Sequence, residues 1–471
     1  MYKPMIRATA WLSLCASLPV TGVSASELDT IRDEMETLKR TYETQIRALE
    51  QRLENAERSA DENRAGLADL ARSQPAGTAA SQKRDNAFNP AISLILQGSV
   101  NSYSEDPDSY ALPGFQIGGE AGLAREGMTL DETELTLSAS VDQLFRAQST
   151  IALHDDEDGT EIGVEEAYVD PLALPAGLGA RFGRFYSGIG YLNPVHPHAW
   201  DFRDEPLAYR AFLGKQYGDD GVRMTWTAPT DLYVMLGGET LAGNNFPAGE
   251  SESIKGDVQT LFMKLGGDIG ASSAWQGGVS MLTADVHNRA GGGHDHGGET
   301  AGAMFSGDSD LYMADFVYKW APDGNPYRRN LTLQTELFYR KEKGDVTFTE
   351  GADTALMDYK GDQTGWYAQI VYQFVPRWRA GLRYDWLSAD NDLAVTDLGG
   401  FADPEEVIEE SGFDNEHHDP QRWSLMLDWN PSEFSRIRAQ YNRDESRPDA
   451  TDHQWMLQYI MSLGSHGAHL F

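Results

Sequence analysis

RWRAGLRYDW, residues 377–386, places Trp378, Ala380, Leu382, Tyr384 and Trp386 on one face of an extended chain, and Arg377, Arg379, Arg383 and Asp385 on the other. A helix would scatter these residues around its axis. A period of two separates them into an oily face and a charged face, the mark of a strand. QRWSLMLDW, 421–429, repeats the pattern with Trp423, Leu425, Leu427 and Trp429. WMLQYIMSL, 455–463, does so with Trp455, Leu457, Tyr459, Met461 and Leu463.

About sixteen such segments are expected, starting near Ile92, Leu130, Gln148, Thr160, Gly177, Gly221, Asp231, Asp257, Ala274, Ser309, Asn330, Thr364, Arg377, Gln421, Phe434 and His453. Each runs roughly 9–13 residues, enough for a tilted strand to cross a bilayer. Their connections alternate. APT (228–230), FVP (374–376) and NPSE (430–433) are short, whereas 104–129, 186–217, 242–256, 287–308, 342–363 and 388–420 are long. That alternation suits a membrane barrel with short periplasmic turns and long outside loops. Trp226, Tyr318, Trp320, Trp366, Tyr372, Trp378, Trp386, Trp423, Trp429 and Trp455 fall near strand ends, where interfacial girdles belong.

The segments before residue 91 read differently. Lys3 and Arg7, the apolar run from Ala8 to Val20, and Val23-Ser24-Ala25 make residues 1–25 a secretory signal peptide. The chain's one cysteine, Cys15, lies in it, so a mature chain would have no disulfide. Residues 26–60 space Leu28, Ile31, Met35, Leu38, Tyr42, Ile46, Leu49, Leu53 and Ala56 as a heptad with one stutter. They read as a periplasmic coiled coil. Residues 61–90 lose the period and read as a flexible linker. The expected fold of 91–471 is an all-β transmembrane barrel of about sixteen antiparallel strands, behind a short N-terminal α-helical coiled coil. An even strand count returns both barrel ends to the periplasm.

The formal charge is −35 across 471 residues. This excludes nucleic acid as a natural partner and favours cations. No run of 18 apolar residues follows the signal, so no inner-membrane helix is expected. The Gly-x-Ser-x-Gly elbow, the phosphate loop and the HExxH motif are absent, and the chain is not expected to be an enzyme.

VEEAYVDPLALPAGLGARFGRFYSGIGYLNPVHPHAW, 164–200, resembles a strand–turn–strand unit of the phosphate-selective porin O/P type. NPAISLILQG (89–98), PGFQIGGEAGL (113–123), HPHAWDFRDEPLAYRAFLG (196–214) and the ending SLGSHGAHLF (462–471) are similar to porin-like proteins often labelled zinc-regulated TonB-dependent outer-membrane receptors. The resemblance implies a Gram-negative outer-membrane barrel, a homotrimer by analogy with porins, and a third outside loop that folds into the pore. A TonB-linked barrel takes about 22 strands and a folded plug, more than this chain holds. Phe471 supplies the terminal aromatic of such barrels, but Ser465, His466, Gly467 and His469 interrupt the alternation before it.

Alternation turns Arg181, Arg223, Arg377, Arg379, Arg383, Arg422, Arg436 and Arg438 toward the lumen, with Glu132 and Glu134 as inward carboxylates. Arginine rows facing carboxylates would set a transverse field across a channel. The loop 186–217 would narrow it with His196, His198, Trp200, Asp201, Asp204 and Glu205 and favour cations. AGGGHDHGGET, 290–300, carries His294, Asp295 and His296 in glycine. With His287, and with His417 and His418 of NEHHDP, it offers imidazole and carboxylate ligands on the outer side. The function expected is passage of small polar solutes or ions, with weak capture of a divalent metal such as Zn2+ and no required cofactor. The partners expected are outer-membrane lipid and those solutes or cations. The alternatives are a surface receptor or adhesin displaying loops on a closed barrel, or a part of TonB-linked metal uptake.

Overall fold

In a computed structural model, the residues described are 90–118, 121–156, 159–249, 256–290 and 301–464. The signal peptide, the coiled coil, the linker up to residue 89, His294, Asp295, His296 and the 465–471 ending lie outside them.

Sixteen strands form one closed antiparallel sheet among these residues. They are β1 (Ala91–Ser102), β2 in two pieces (Gly127–Leu130 and Thr133–Ser140), β3 (Phe145–Asp156), β4 (Gly159–Pro171), β5 (Leu178–Tyr186) and β6 (Gly218–Thr227). There follow β7 (Tyr233–Leu241), β8 (Val258–Ile269), β9 (Ser273–Ala290), β10 (Ala301–Trp320) and β11 (Asn330–Glu350). The last five are β12 (Asp353–Val375), β13 (Trp378–Asp397), β14 (Gln421–Ser432), β15 (Ser435–Glu445) and β16 (Asp452–Gly464). Each strand pairs with the next, and β16 closes on β1 from Ser93↔Gly464 to Ser102↔Trp455. Closure leaves no edge and satisfies every ladder internally, the condition for strands in lipid.

Fourteen of the expected strand starts fall within three residues of an observed one; those at Ser309 and Thr364 come 8 and 11 residues late, because β10 begins at Ala301 and β12 at Asp353. The lengths differ. β9 to β13 run 18 to 23 residues. The segment 342–363, expected as a loop, is instead the end of β11 and the start of β12, joined at 351–352. Their alternation continues, but the outward residues change from apolar to Lys341, Lys343, Asp358, Lys360 and Asp362, all exposed. These strands extend past the apolar band into water. Two aromatic levels bound that band. Trp378 stacks on Trp429 at 6.1 Å near the short turns, and Trp366, Tyr384 and Trp423 cluster at 5.4 and 4.5 Å nearer the long loops. Trp378 and Trp386 are eight residues apart on β13, on the order of 20 Å of membrane normal for a tilted strand. Between the levels Ile370, Leu382, Leu425 and Leu457 face outward.

Two bulges break the alternation on neighbouring walls. β1 pairs Gly98 with Leu130 but Ile95 with Glu134, so the two pieces of β2 contain one extra residue. β3 pairs Thr150 with Glu166 but Ile151 with Val164, which makes Glu165 the extra residue of β4. A bulge re-aims side chains. Here each turns two consecutive carboxylates inward, Asp131 with Glu132 and Glu165 with Glu166, as their partners below show.

Candidate functional site

The interior is occupied by the barrel's own loops. The loop 187–217 enters it and carries a 3-10 turn (Pro197–Ala199) and a short helix, α1 (Leu207–Leu213), every residue of which is buried. Pro206 precedes the helix, and Gly214, at φ 61°, ends it in the left-handed region that favours glycine. Phe212 of α1 stacks on Phe338 of β11 at 5.6 Å, and Phe115, from the loop after β1, meets Phe212 edge-on at 5.6 Å. These rings belong to one apolar core that also takes in Leu112, Trp200, Phe305, Tyr359, Val407 and Phe413. The side of the barrel with long loops is thus filled, not lined.

Charge pairs dock the loop on two stretches of the wall, separated by β16 and β1. On the arginine wall, Arg383 (β13) donates to Asp204 Oδ1 at 2.8 Å and Arg422 (β14) to Oδ2 at 2.9 Å. Gln440 and Asn442 of β15 add donors to the same carboxylate at 2.7 and 2.9 Å. Burial opposes a charge on Asp204, but Arg422 and Arg383 hold its pKa well below the usual carboxylate range. Arg379 donates to Asp201 at 2.8 Å, and Arg438 reaches both Asp428 at 2.8 Å and the Trp200 carbonyl at 2.9 Å. Arg436 lies 3.3 Å from that carbonyl. On the acidic wall, Lys215 pairs with Glu132 at 2.5 Å, Arg203 with Asp131 at 2.8 Å, and His198 Nδ1 with Glu134 at 2.6 Å. The loop is therefore electrically two-sided. Its acidic part, 201–204, meets the basic wall, and its basic residues His196, His198, Arg203 and Lys215 meet the acidic wall.

A third anchor is Glu336 of β11, fully buried. It accepts from the Tyr191 and Leu192 amides at 2.9 and 3.1 Å and from the hydroxyls of Tyr209 (2.9 Å) and Tyr367 (2.6 Å). Replacing Glu336 by alanine leaves those donors unsatisfied. It is expected to cost about 1–3 kcal/mol, read as a lowered urea midpoint of the refolded barrel.

The expected site residues are distributed as follows. Arg379, Arg383, Arg422, Arg436, Arg438, Arg181 and Arg223 do turn inward, but as partners of acids. Arg181 is held by Asp170 at 2.9 and 3.0 Å, and Arg223 by Glu239 at 2.5 Å. Arg383, Arg422 and Arg438 keep 1% exposure or less, so they face the docked loop and not open water. Arg377 is a correction. It sits exposed in the turn after β12 at φ 74°, because the turn takes two residues and the alternation starts one residue later. Glu205 does not project from the loop either; it pairs with Arg210 one turn on. Trp200 is buried and donates to the Val195 carbonyl at 2.6 Å.

The outer histidines scatter. His287 lies on β9, not in a loop, exposed and 3.8 Å from Asp285. His418 Nε2 is engaged by the Glu445 carbonyl at 2.8 Å, and His417 is exposed at φ 56°. Among the described residues, the His and Glu groups close enough to share a cation are both built on His196. They are Glu134, His196, His198 and Glu132, Glu165, His196. Glu165 and Glu166 escaped the sequence reading. The signal present was the EE doublet itself, since a regular strand cannot turn two consecutive acids to one side.

No family model matches the sequence. The chain is 32% identical over 413 residues to an uncharacterized protein of Aquifex aeolicus (strain VF5), an alignment covering 82% of this chain and 80% of that one. Among solved structures, it is similar to OmpT of Vibrio cholerae lacking loop L8, an outer membrane protein (11% identity, TM-score 0.46, covering 79% of this chain and 99% of that one). It is also similar to OprB of Pseudomonas putida (13%, TM-score 0.43, 80% and 94%) and to the outer membrane channel DcaP of Acinetobacter baumannii (12%, TM-score 0.43, 79% and 97%).

Proposed function

The chain belongs to the same family as the Aquifex aeolicus protein, and we propose that it is an outer-membrane channel of restricted bore for small polar solutes or ions. The observation that carries this reading is the loop 187–217, held inside a closed sixteen-stranded barrel by paired charges on both walls. Those pairs hold the loop across the interior, where it limits the bore. Partly exposed cations remain inward on the side of the short turns, Arg181, Arg379 and Arg436 among them. Field lines from such groups concentrate in a narrow low-dielectric passage and sort solutes by charge.

One observation favours a second reading, a closed barrel that displays its loops. The apolar core and the fully buried Arg210, Arg289, Arg340, Arg383, Arg422 and Arg438 leave little room on the long-loop side. The two readings part in a planar bilayer. The channel is expected to give small, discrete current steps with no energy source, and truncating the loop by deletion of 196–206 is expected to enlarge them. Silence from both proteins, each verified as folded, would select the display barrel.

A further inference from the structure

We infer that the acidic wall and the loop 187–217 together form a buried binding site for one divalent transition-metal ion, with His196, Glu165 and Glu132 as its ligands. The inference does not depend on whether the barrel conducts.

The imidazole of His196 is the centre of the argument. Its Nε2 lies 3.1 Å from Glu166 Oε2, the position of an N–H donating to a carboxylate. That leaves Nδ1 as the nitrogen with a lone pair. Nδ1 lies 3.1 Å from Glu134 Oε2 and 3.6 Å from Glu165 Oε2, yet it is buried and makes no hydrogen bond. Glu132 Oε1 and Glu165 Oε2 are also buried without a hydrogen-bond partner, on side chains 6% and 7% exposed. His196, Glu165 and Glu132 thus bring three buried atoms without a hydrogen bond into one group whose ligand atoms lie within 4.8 Å of one another.

The spacing suits a metal. Bonds of about 2.0–2.1 Å to nitrogen and oxygen give a tetrahedron whose edges are about 3.3–3.4 Å. The 3.6 Å from Nδ1 to Glu165 Oε2 is close to that edge. The outer shell is also in place. A ligating histidine ordinarily donates its second N–H to a carboxylate, as His196 does to Glu166. His198 Nδ1, 2.6 Å from Glu134 Oε1, fixes the carboxylate whose other oxygen faces His196. His196 and His198 stack at 5.7 Å, their rings held by the intervening Pro197. The charges agree as well. Glu132, Glu134, Glu165 and Glu166 crowd four carboxylates around one imidazole, Lys215 returns one positive charge, and a divalent ion offsets much of the remaining acidic excess. An imidazole with carboxylates suits Zn2+, Mn2+ or Fe2+ more than a thiolate-seeking ion. The His196 side chain keeps 18% exposure, which leaves an access path.

The test uses the full chain carrying His294→Ala and His296→Ala, refolded, stripped with chelator and loaded with Zn2+ or with Co2+ as a coloured probe. Elemental analysis after desalting is expected to show about one metal per chain, and Co2+ to give tetrahedral visible absorption. His196→Ala and the near-isosteric Glu165→Gln are each expected to lose that equivalent, while His417→Ala keeps it. Metal retained in both site variants overturns the inference, as does a parent chain that binds none. X-ray absorption of the loaded parent stands independently of whether the variants fold. Nitrogen and oxygen neighbours at about 2.0–2.1 Å with an imidazole signature support the site. An all-water shell overturns it.

Discussion

Replacing Asp204 by alanine is expected to lower the stability of the barrel interior by about 3–5 kcal/mol and to release the loop 187–217 from the arginine wall. Asp204 accepts from four side chains on β13, β14 and β15 at 2.7–2.9 Å. Its loss leaves Arg383 and Arg422 with Asp385 as their remaining carboxylate, at 3.1 and 3.4 Å. Two guanidiniums with almost no solvent contact cannot share one acid without a large desolvation penalty. Water must then enter beside β13 and β14. The expected readouts are a lower urea midpoint and larger current steps. A variant as stable as the parent would show that the ion pairs contribute nothing to docking.

Replacing Arg289 by alanine is expected to cost a similar amount, about 3–5 kcal/mol, at a different place. Arg289 donates to both oxygens of Glu342 at 2.6 and 2.9 Å, to Gln116 at 2.7 Å and to the Pro247 carbonyl at 3.2 Å. Its guanidinium lies over Phe246 and Phe305 at 5.5 and 4.8 Å. One side chain thus fastens the loops after β1 and β7 to the wall. Without it Glu342 keeps Arg340 at 3.5 Å as its ion-pair partner. Faster proteolysis within 104–118 and 242–249 of the refolded protein is the expected signature. Cleavage at the parent's rate would remove Arg289 from that role.

These three arginines differ in how legible they were. Arg383 and Arg422 stand in strands whose alternation names their face, so their inward direction could be read directly. That they meet a loop could not be read, because Asp204 lies 179 and 218 residues away from them in sequence and no local pattern couples them. Arg289 follows the bulge between Val286 and Arg289, which breaks the period. Fourteen of the sixteen strand starts were legible because lipid on one side and polar groups on the other enforce a period of two, whereas those of β10 and β12 lie beyond the apolar band. Strand ends were not, since beyond the band the outward face turns from apolar to charged and reads like a loop. The segment 342–363 shows this: Glu342, Val346, Phe348, Met357 and Tyr359 face inward under the loops, while charged residues face water. The acidic wall was half legible. Glu132 and Glu134 follow the strand period, whereas Glu165 faces inward through a bulge that a single sequence marks only by the doublet.

Single-channel recording of the refolded full chain in a planar bilayer, beside Asp204→Ala, tests the central claim most directly. The account predicts small steps from the parent and clearly larger ones from the variant. No steps from either protein, with both folded, would contradict it.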